Sequence, residues 1–385
     1  MAKQQGALAV TDLNEAQDRL RIVLDSARDF LKRGWSLKEF RELIDGSDGY
    51  SDTLWQKASE LGWPGTLVAE NHGGSEGNFL ELSGLAEACG TALAPMPLTA
   101  NAVAAHLVEN CGNEAAKKKL LPGAASGKAP LSLALLEAGL SVDRLKVKMA
   151  AASKAGGYEL NGSKMFVTYA NAARHFIVAV QLDGDVALLA VPADAKGIEL
   201  VRLTPLDWSS LFEVKFTAVS VGADALLARG DEAKALLREA LIEGDTLLCC
   251  EMVGVCQSAL DSAAIYANER IAFGKPIGQF QGVKHRLVNL RADIEVARAL
   301  IRTATQDIAT GHDKRRVSAA HTAYWALDKL KKVPEGCMQV FGGIGFTWEH
   351  DIHLYLRRTA TLASLLGEQA EHREVVVNHL DRGVL

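Results

Sequence analysis

The chain has 385 residues, 48% of them hydrophobic and 23% charged, with a formal net charge of −5. This is the composition of an ordinary folded protein with room for two or three domains, and it excludes a disordered chain. Charges of both signs are interspersed, so there is no basic stripe to neutralise phosphates and no nucleic-acid partner is expected.

No apolar run approaches the ~20 residues needed to cross a bilayer. The opening MAKQQGALAVTDLNEAQDRL lacks the apolar core of a signal peptide. These two features predict a cytoplasmic protein with no membrane association. Cys89, Cys111, Cys249, Cys250, Cys256 and Cys337 show no CxxC spacing, which predicts buried thiols rather than a disulfide framework. His350 and His353 stand at i,i+3 but have no third ligand in the sequence, so no metal site is expected.

The first ~125 residues read as helices. LNEAQDRLRIVLDSARDFLKR repeats apolar residues at three and four, and SDTLWQKASELGW opens on a Ser-Asp cap. PGTLVAENHGGSEGN interrupts the pattern as a loop, after which FLELSGLAEACGTAL and AAKKKLLPGAASGK resume it. At about residue 131 the period changes. LSLALLE, HFIVAVQ, VALLAV, IELVRL and EVKFTAV have strand character, and the dipeptide Asn161-Gly162 predicts a type I′ hairpin turn.

Beyond about residue 233 the pattern is helical again, with Leu287, Leu290, Ile294, Ala297 and Ile301 tracing one apolar face. FGKPIGQF and VFGGIGF interrupt it as turns. The fold class expected is therefore α+β. It comprises an N-terminal helical domain over 1–130, a middle antiparallel sheet or barrel domain over 131–232, and a C-terminal helical domain over 233–385. A doubly wound dinucleotide fold would alternate strand and helix, which this chain does not.

YANERIAFGKPIGQFQGVKHRLVNLRADIEVARAL and MQVFGGIGFTWEHDIHLYLRR resemble two signature regions of the flavin-dependent acyl-CoA dehydrogenases. Residues 55–95 look like the N-terminal helices and Gly-rich loop of the same family, and the α–β–α order agrees over nearly the whole chain. The resemblance implies that the C-terminal domain is a four-helix bundle. It also implies FAD as cofactor, an acyl-CoA substrate and α,β-dehydrogenation of the thioester, an oxidoreductase reaction on a CH–CH bond. The partners implied are a second subunit, in a homo- or hetero-oligomeric dimer or tetramer, and an electron acceptor such as an electron-transfer flavoprotein.

Residue roles carry over by motif. An arginine's planar, permanently charged fork suits a pyrophosphate. By resemblance Arg270 takes that role, Phe273 packs near the adenine end and Gln281 hydrogen-bonds the dinucleotide. Gln339, Gly342 and Gly343 let backbone approach the cofactor, glycine being tolerated where a side chain would clash. In the family these groups serve mainly the FAD of the neighbouring subunit. Phe166, where the family usually has tryptophan, and Thr168 match the strand that faces the flavin ring.

The departures matter as much. The family's Thr-Glu-Pro segment falls in LLEAGLSVDRL, where Glu137 survives between Leu136 and Ala138. The reaction needs a positioned carboxylate to take the α-proton. Aligning Arg358 with the arginine that starts the last family helix puts Gly367 at the usual base position. Counting back from Arg270 puts Gly244 at the minority one.

Glu368, Glu243 and Asp245 stand one residue from those glycines and are the candidate catalytic bases. Glu251, two turns beyond Gly244, shares its helix face. A one-residue offset turns a side chain by about 100°, so no neighbour substitutes without rearrangement. GFTWEHDIHLYLRR and LLGEQAEHR resemble patterns of a subgroup found in the catabolism of bulky acyl groups, such as sterol side chains or alicyclic and aromatic acids, some of whose members work as hetero-oligomers. This chain is then either a dehydrogenase in its own right or a non-catalytic partner that completes a paralogue's FAD site. Oxidase or elimination chemistry on the same fold and a flavin-free scaffold are the alternatives.

Overall fold

The computed structural model describes residues 10–44, 46, 49–139 and 144–381. The N-terminal nine residues, part of the stretch read as lacking a signal core, lie outside this set, as do residues 140–143 of the rewritten segment after Ala138. Six helices come first: α1 (Val10–Gly34), α2 (Leu37–Ile44), α3 (Asp52–Glu60), α4 (Phe79–Ala92), α5 (Leu98–Glu109) and α6 (Glu114–Ala125). Eight strands follow: β1 (Leu131–Ala134), β2 (Ala150–Lys154), β3 (Gly157–Thr168), β4 (His175–Leu182), β5 (Asp185–Pro192), β6 (Ile198–Arg202), β7 (Leu211–Gly222) and β8 (Leu226–Arg229). The remainder is α7 (Asp231–Glu269), the short strands β9 (Ile271–Ala272) and β10 (Lys275–Pro276), and then α8 (Gln281–Ala309), α9 (Arg315–Asp328), α10 (Val333–Phe341), α11 (Ile352–Leu365) and α12 (Gln369–Asp381). The helix–sheet–helix order expected from the change of period is the order found.

The chain divides into two compact units that do not follow this linear order. One combines the chain up to Arg41, Phe79–Ala94 and everything from Asp245; the other combines Glu42–Asn78 with Pro95–Gly244.

The second unit is organised around the sheet, whose strands run β6-β7-β3-β2-β4-β5-β8 with β1 beside β4. Most ladders are antiparallel, but β1 and β2 each pair parallel with β4. Phe176, Val178, Val180, Leu189, Val191, Phe212, Val214 and Phe216 fill its core; β7 alternates with less buried positions between Phe212 and Phe216, whereas β4 and β5 are buried at nearly every position, on both faces. Buried Asn101 of α5 ties the helices to the sheet. Its amide reaches the carbonyls of Pro64 and Ala124 at 3.4 and 3.2 Å, and its oxygen accepts from Leu131 N at the start of β1 at 2.9 Å.

The hairpin expected at Asn161-Gly162 is absent. β3 runs straight through it, and the turn lies six residues earlier, at Ala155-Gly156, where Lys154 pairs with Gly157 and Gly156 has φ 82°. Asn161 and Gly162 instead sit opposite a bulge in β7: Asn161 Oδ1 accepts from Ala218 N at 2.8 Å, and Ala218 has φ 50°. The dipeptide misleads because a bulge and a primed turn call on the same residues, those that tolerate unusual φ or satisfy a stray backbone donor.

In the first unit α7 is the axis. Cys249, Cys250, Met252, Val253, Val255, Cys256 and Ala259 are all buried along it. One window of α7 is apolar enough by length and composition to cross a membrane, and 61% of that window is buried within the protein. Burial on this scale is what a core helix does with apolar residues. All six cysteines are free and buried.

α4 crosses α7 at backbone distance, through glycines. A Cβ at Gly254 would lie 2.1 Å from Glu87 O and 2.6 Å from Thr91 N, and one at Gly90 would lie 2.0 Å from Glu251 O. Gly244, on the same helix, has no heavy atom within 4 Å of where its Cβ would be. Gly254→Ala is therefore expected to destabilise the fold by about 3 kcal/mol through overpacking. Gly244→Ala is expected to be neutral or to stabilise by about 0.5–1 kcal/mol, the ordinary gain of replacing a helical glycine. Urea unfolding of both variants checks the contrast.

Candidate active site

The residues expected to hold a dinucleotide all lie in the helical unit, and all six are exposed. Arg270 ends α7, its amide bonded to Tyr266 O and its carbonyl accepting from Ile277 N at 2.8 Å. Its guanidinium makes no hydrogen bond or ion pair among the described residues. β9 and β10 then form a miniature hairpin whose two-residue tip, Phe273-Gly274, has φ 51° and 78°. Positive φ at both tip residues is the mark of a type I′ turn, for which an aromatic at the first position is poorly suited.

Phe273 is nonetheless held there at 96% exposure, its ring edge-on to Phe280 at 6.2 Å. The strained tip thus presents a whole aromatic ring to solvent. Gln281 opens α8. Gln339 of α10 accepts a hydrogen bond from Arg286, which links α10 to the start of α8. Gly342 caps α10 at φ 64°, and neither Gly342 nor Gly343 has an atom within 4 Å of a built Cβ. That is open space for a ligand's approach.

In the sheet unit the candidates Phe166 and Thr168 lie near the end of β3. Between Lys164 and Val167 the β3–β7 register shifts, and Phe166 sits in that bulge at φ 57°, 48% exposed. Left-handed backbone at such a residue costs about 1–2 kcal/mol. Thr168 is anchored by its carbonyl, which accepts from Ser132 Oγ of β1 at 2.7 Å.

Next to them lies a feature the motif reading passed over. Lys164 is fully buried, at 0% exposure, and its ammonium donates to Leu135 O at 3.2 Å and to Glu137 Oε1 at 2.7 Å. Glu137 also accepts from the amides of Lys148 and Met149, each at 3.0 Å. Burial works to raise the carboxyl's pKa, but the Lys164 ammonium and these amides outweigh it and hold Glu137 below its ordinary range. Burial in turn pushes Lys164 down. Glu137 thus supplies the counter-charge that a buried cation needs.

The candidate bases are each accounted for. Glu243, buried on α7, accepts a hydrogen bond from His106 Nδ1 of α5 at 2.8 Å. Burial works against a charge on His106, but Glu243, with Glu109 and Glu239 further off, carries its pKa above the ordinary value. Asp245 is buried and engaged in an interaction of its own. After burial itself, it is the largest influence raising the Cys249 thiol, one helical turn on. Glu251 is bound by Arg358 of α11, whose Nε and Nη2 lie 2.7 and 2.5 Å from the same carboxylate oxygen.

Glu368 is exposed in the link between α11 and α12, making a backbone contact to Glu371. Beside it Gly367 has φ 81°, a conformation that side chains resist, and Leu366 is fully buried, its carbonyl accepting from His372 Nε2 at 2.8 Å. Lys164, His106 and Arg358 were not singled out from sequence as site residues. Only Lys164 carried a local signal, a lysine inside an apolar strand. Among the described residues no cluster of three or more His, Cys, Asp or Glu could hold a metal.

Known proteins match along the whole of this architecture. Sequence models of the acyl-CoA dehydrogenase N-terminal, middle and C-terminal domains match residues 17–128, 132–219 and 235–380. The acyl-CoA dehydrogenase FadE34 of Mycobacterium tuberculosis is 32% identical over 312 residues, which is 80% of this chain but 39% of that protein. The chain therefore spans well under half the length of that relative. The acyl-CoA dehydrogenase IpdE2 of Mycolicibacterium smegmatis is 26% identical across 86% of this chain and 89% of its own. Among solved structures, a variant of the steroid acyl-CoA dehydrogenase Tcur3481–Tcur3483 superposes with a TM-score of 0.87 at 26% identity, covering 96% of this chain and 99% of that one. With all three of its domain models matched between residues 17 and 380, the chain belongs to the acyl-CoA dehydrogenase family.

Proposed function

We propose that this chain is a subunit of a FAD-dependent acyl-CoA dehydrogenase for a bulky CoA thioester, and that it completes the FAD site of a paralogous partner without supplying the catalytic base. One observation carries the reading: no free, buried carboxylate stands at either base position, while the residues that would reach a neighbour's FAD are intact and exposed.

The left-handed φ of Gly367 bears on the base. By the resemblance, most family members carry their base in a Glu-Gly-Thr turn, and we read the left-handed residue as that turn's glycine. Leu366 then takes the base position and Glu368 the threonine's, which is equivalent to aligning Arg357 rather than Arg358 with the family arginine. A buried leucine cannot accept a proton. At the other position Gly244 has open space around it, and its acidic neighbours are engaged, Glu243 by His106. Glu251, on the Gly244 face of α7, is neutralised by Arg358. An ion-paired carboxylate is a poor base because its proton affinity is lowered by the cation beside it.

The donor set fits a bound dinucleotide. Arg270 offers an uncommitted guanidinium for a diphosphate, Phe273 an exposed ring, and Gly342 and Gly343 unobstructed backbone. FAD, when bound, supplies the acceptor for the hydride leaving the substrate's β-carbon. This chain's residues would bind its diphosphate through Arg270, orient it through Gln281 and Gln339, and cover its adenine end with Phe273. Electrons would pass on to an electron-transfer flavoprotein or similar acceptor. Support for a two-chain assembly comes from the steroid dehydrogenase Tcur3481–Tcur3483, named for two chains, and from FadE34, more than twice as long as the stretch it shares with this chain. The steroid relative also favours a bulky acyl group.

Expressed alone, the chain should show sub-stoichiometric flavin and no acyl-CoA oxidation; with its paralogous partner, flavin content and turnover should appear together. Full FAD loading and turnover by the chain alone would refute the proposal. In the assembled enzyme Arg270→Ala should weaken FAD binding about 10- to 100-fold, the worth of a charge-assisted contact.

Glu243→Gln, Asp245→Asn and Glu368→Gln should each leave turnover within about twofold of the parent, because removing a true general base costs roughly 10²–10⁴-fold. His106 supplies a separate check on Glu243. Its folded pKa is raised, so the stability it contributes is full below its unfolded value of about 6.5 and is lost as pH rises through the folded value. The difference in unfolding free energy between parent and Glu243→Gln should therefore be largest below that pH and shrink toward alkaline pH, read by urea unfolding across a pH series.

A further inference from the structure

We infer that the buried Glu137–Lys164 ion pair is a positioning device that holds the β3 bulge and so turns Phe166 outward. That the ring then meets a flavin rests on the resemblance of this strand to the family's flavin-facing one and on the FAD-dependent function proposed above; the geometry of the bulge does not.

Side chains alternate along a strand. Lys164 points inward and is fully buried, so strict alternation would also put residue 166 inside and residue 167 outside. The structure has the reverse: Val167 is buried and Phe166 is half exposed. The extra residue of the bulge, between the pairs Lys164–Val214 and Val167–Phe212, makes the switch. A bulge re-aims a side chain in this way, and here it does so at the cost of left-handed φ at an aromatic residue.

Something must hold that strain, and the contacts on either side of Phe166 do. On one side the Lys164 ammonium is fixed by Leu135 O and Glu137, and the next amide, Met165 N, donates to Leu136 O at 2.8 Å. On the other side Ser132 holds the carbonyl of Thr168. Glu137 is itself fixed by two backbone amides ahead of β2, so the ammonium is tied to a point that cannot drift. An apolar side chain at 164 would fill the same space without direction. β3 could then relax to unbulged pairing, which moves the ring to the other face.

The test uses the full-length chain with 4-trifluoromethylphenylalanine at position 166, read by ¹⁹F NMR alongside Tm. Glu137→Gln strands a buried ammonium and should lower Tm sharply. Glu137→Gln combined with Lys164→Met removes both charges and should recover most of that loss. The fluorine resonance of the double variant should nonetheless be displaced and broadened, and its affinity for FAD, assayed with the partner chain, should fall about tenfold as the ring leaves its place. A double variant with recovered Tm and the parent's resonance would overturn the inference.

If the double variant does not fold, Glu137→Asp keeps the charge and shortens the reach by one methylene. A displaced resonance in that variant supports the inference, and an unchanged one overturns it. A resonance that moves in a protein whose parent binds no FAD upholds the positioning role and removes the flavin reading instead.

Discussion

A lysine with no exposed surface imposes the central constraint on the sheet end of this protein. An ammonium removed from water is costly unless acceptors surround it, and Lys164 finds them in Leu135 O and the carboxylate of Glu137. Because Glu137 must also satisfy the amides of Lys148 and Met149, one carboxylate ties the end of β1, the approach to β2 and the middle of β3 to a single point. A buried charge that cannot be left unpaired accounts for Glu137 at this place without any appeal to substrate.

The same rule governs the acids around the base positions. A buried carboxylate either acquires a partner or loses its charge, and in this chain partners are what is found: His106 for Glu243 and Arg358 for Glu251. Glu251 lies where α4 crosses α7 at backbone distance, with Gly90 against its carbonyl. Arg358 holds its side chain in place within the same helical unit. A catalytic base needs a carboxylate that is buried yet uncommitted, poised to take a proton. Glu243 and Glu251 are drawn into the structure of their own units, and Glu368 is left in solvent.

Much of this was legible beforehand. The change of period at about residue 131, the return of helical patterning after β8 and the turn residues in FGKPIGQF and VFGGIGF all correspond to features of the fold. The Ser51 cap is made as written, its hydroxyl accepting from Leu54 N. Legibility failed where one local signal serves two ends. Asn161-Gly162 meets a bulge as well as it meets a hairpin, and only the pairing partner across the sheet distinguishes them.

By itself the sequence determined the class of the elements, their order and the family, because periodicity, turn chemistry and contiguous motifs are properties of neighbours along the chain. Which surviving acids are committed, and to whom, was decided only by tertiary structure: His106 lies 137 residues from Glu243 and Arg358 lies 107 residues from Glu251. The outward turn of Phe166 belongs to the same class. A side chain's direction at a bulge is fixed by the strand and the ion pair that close around it, and these are distant in sequence and adjacent only in the fold.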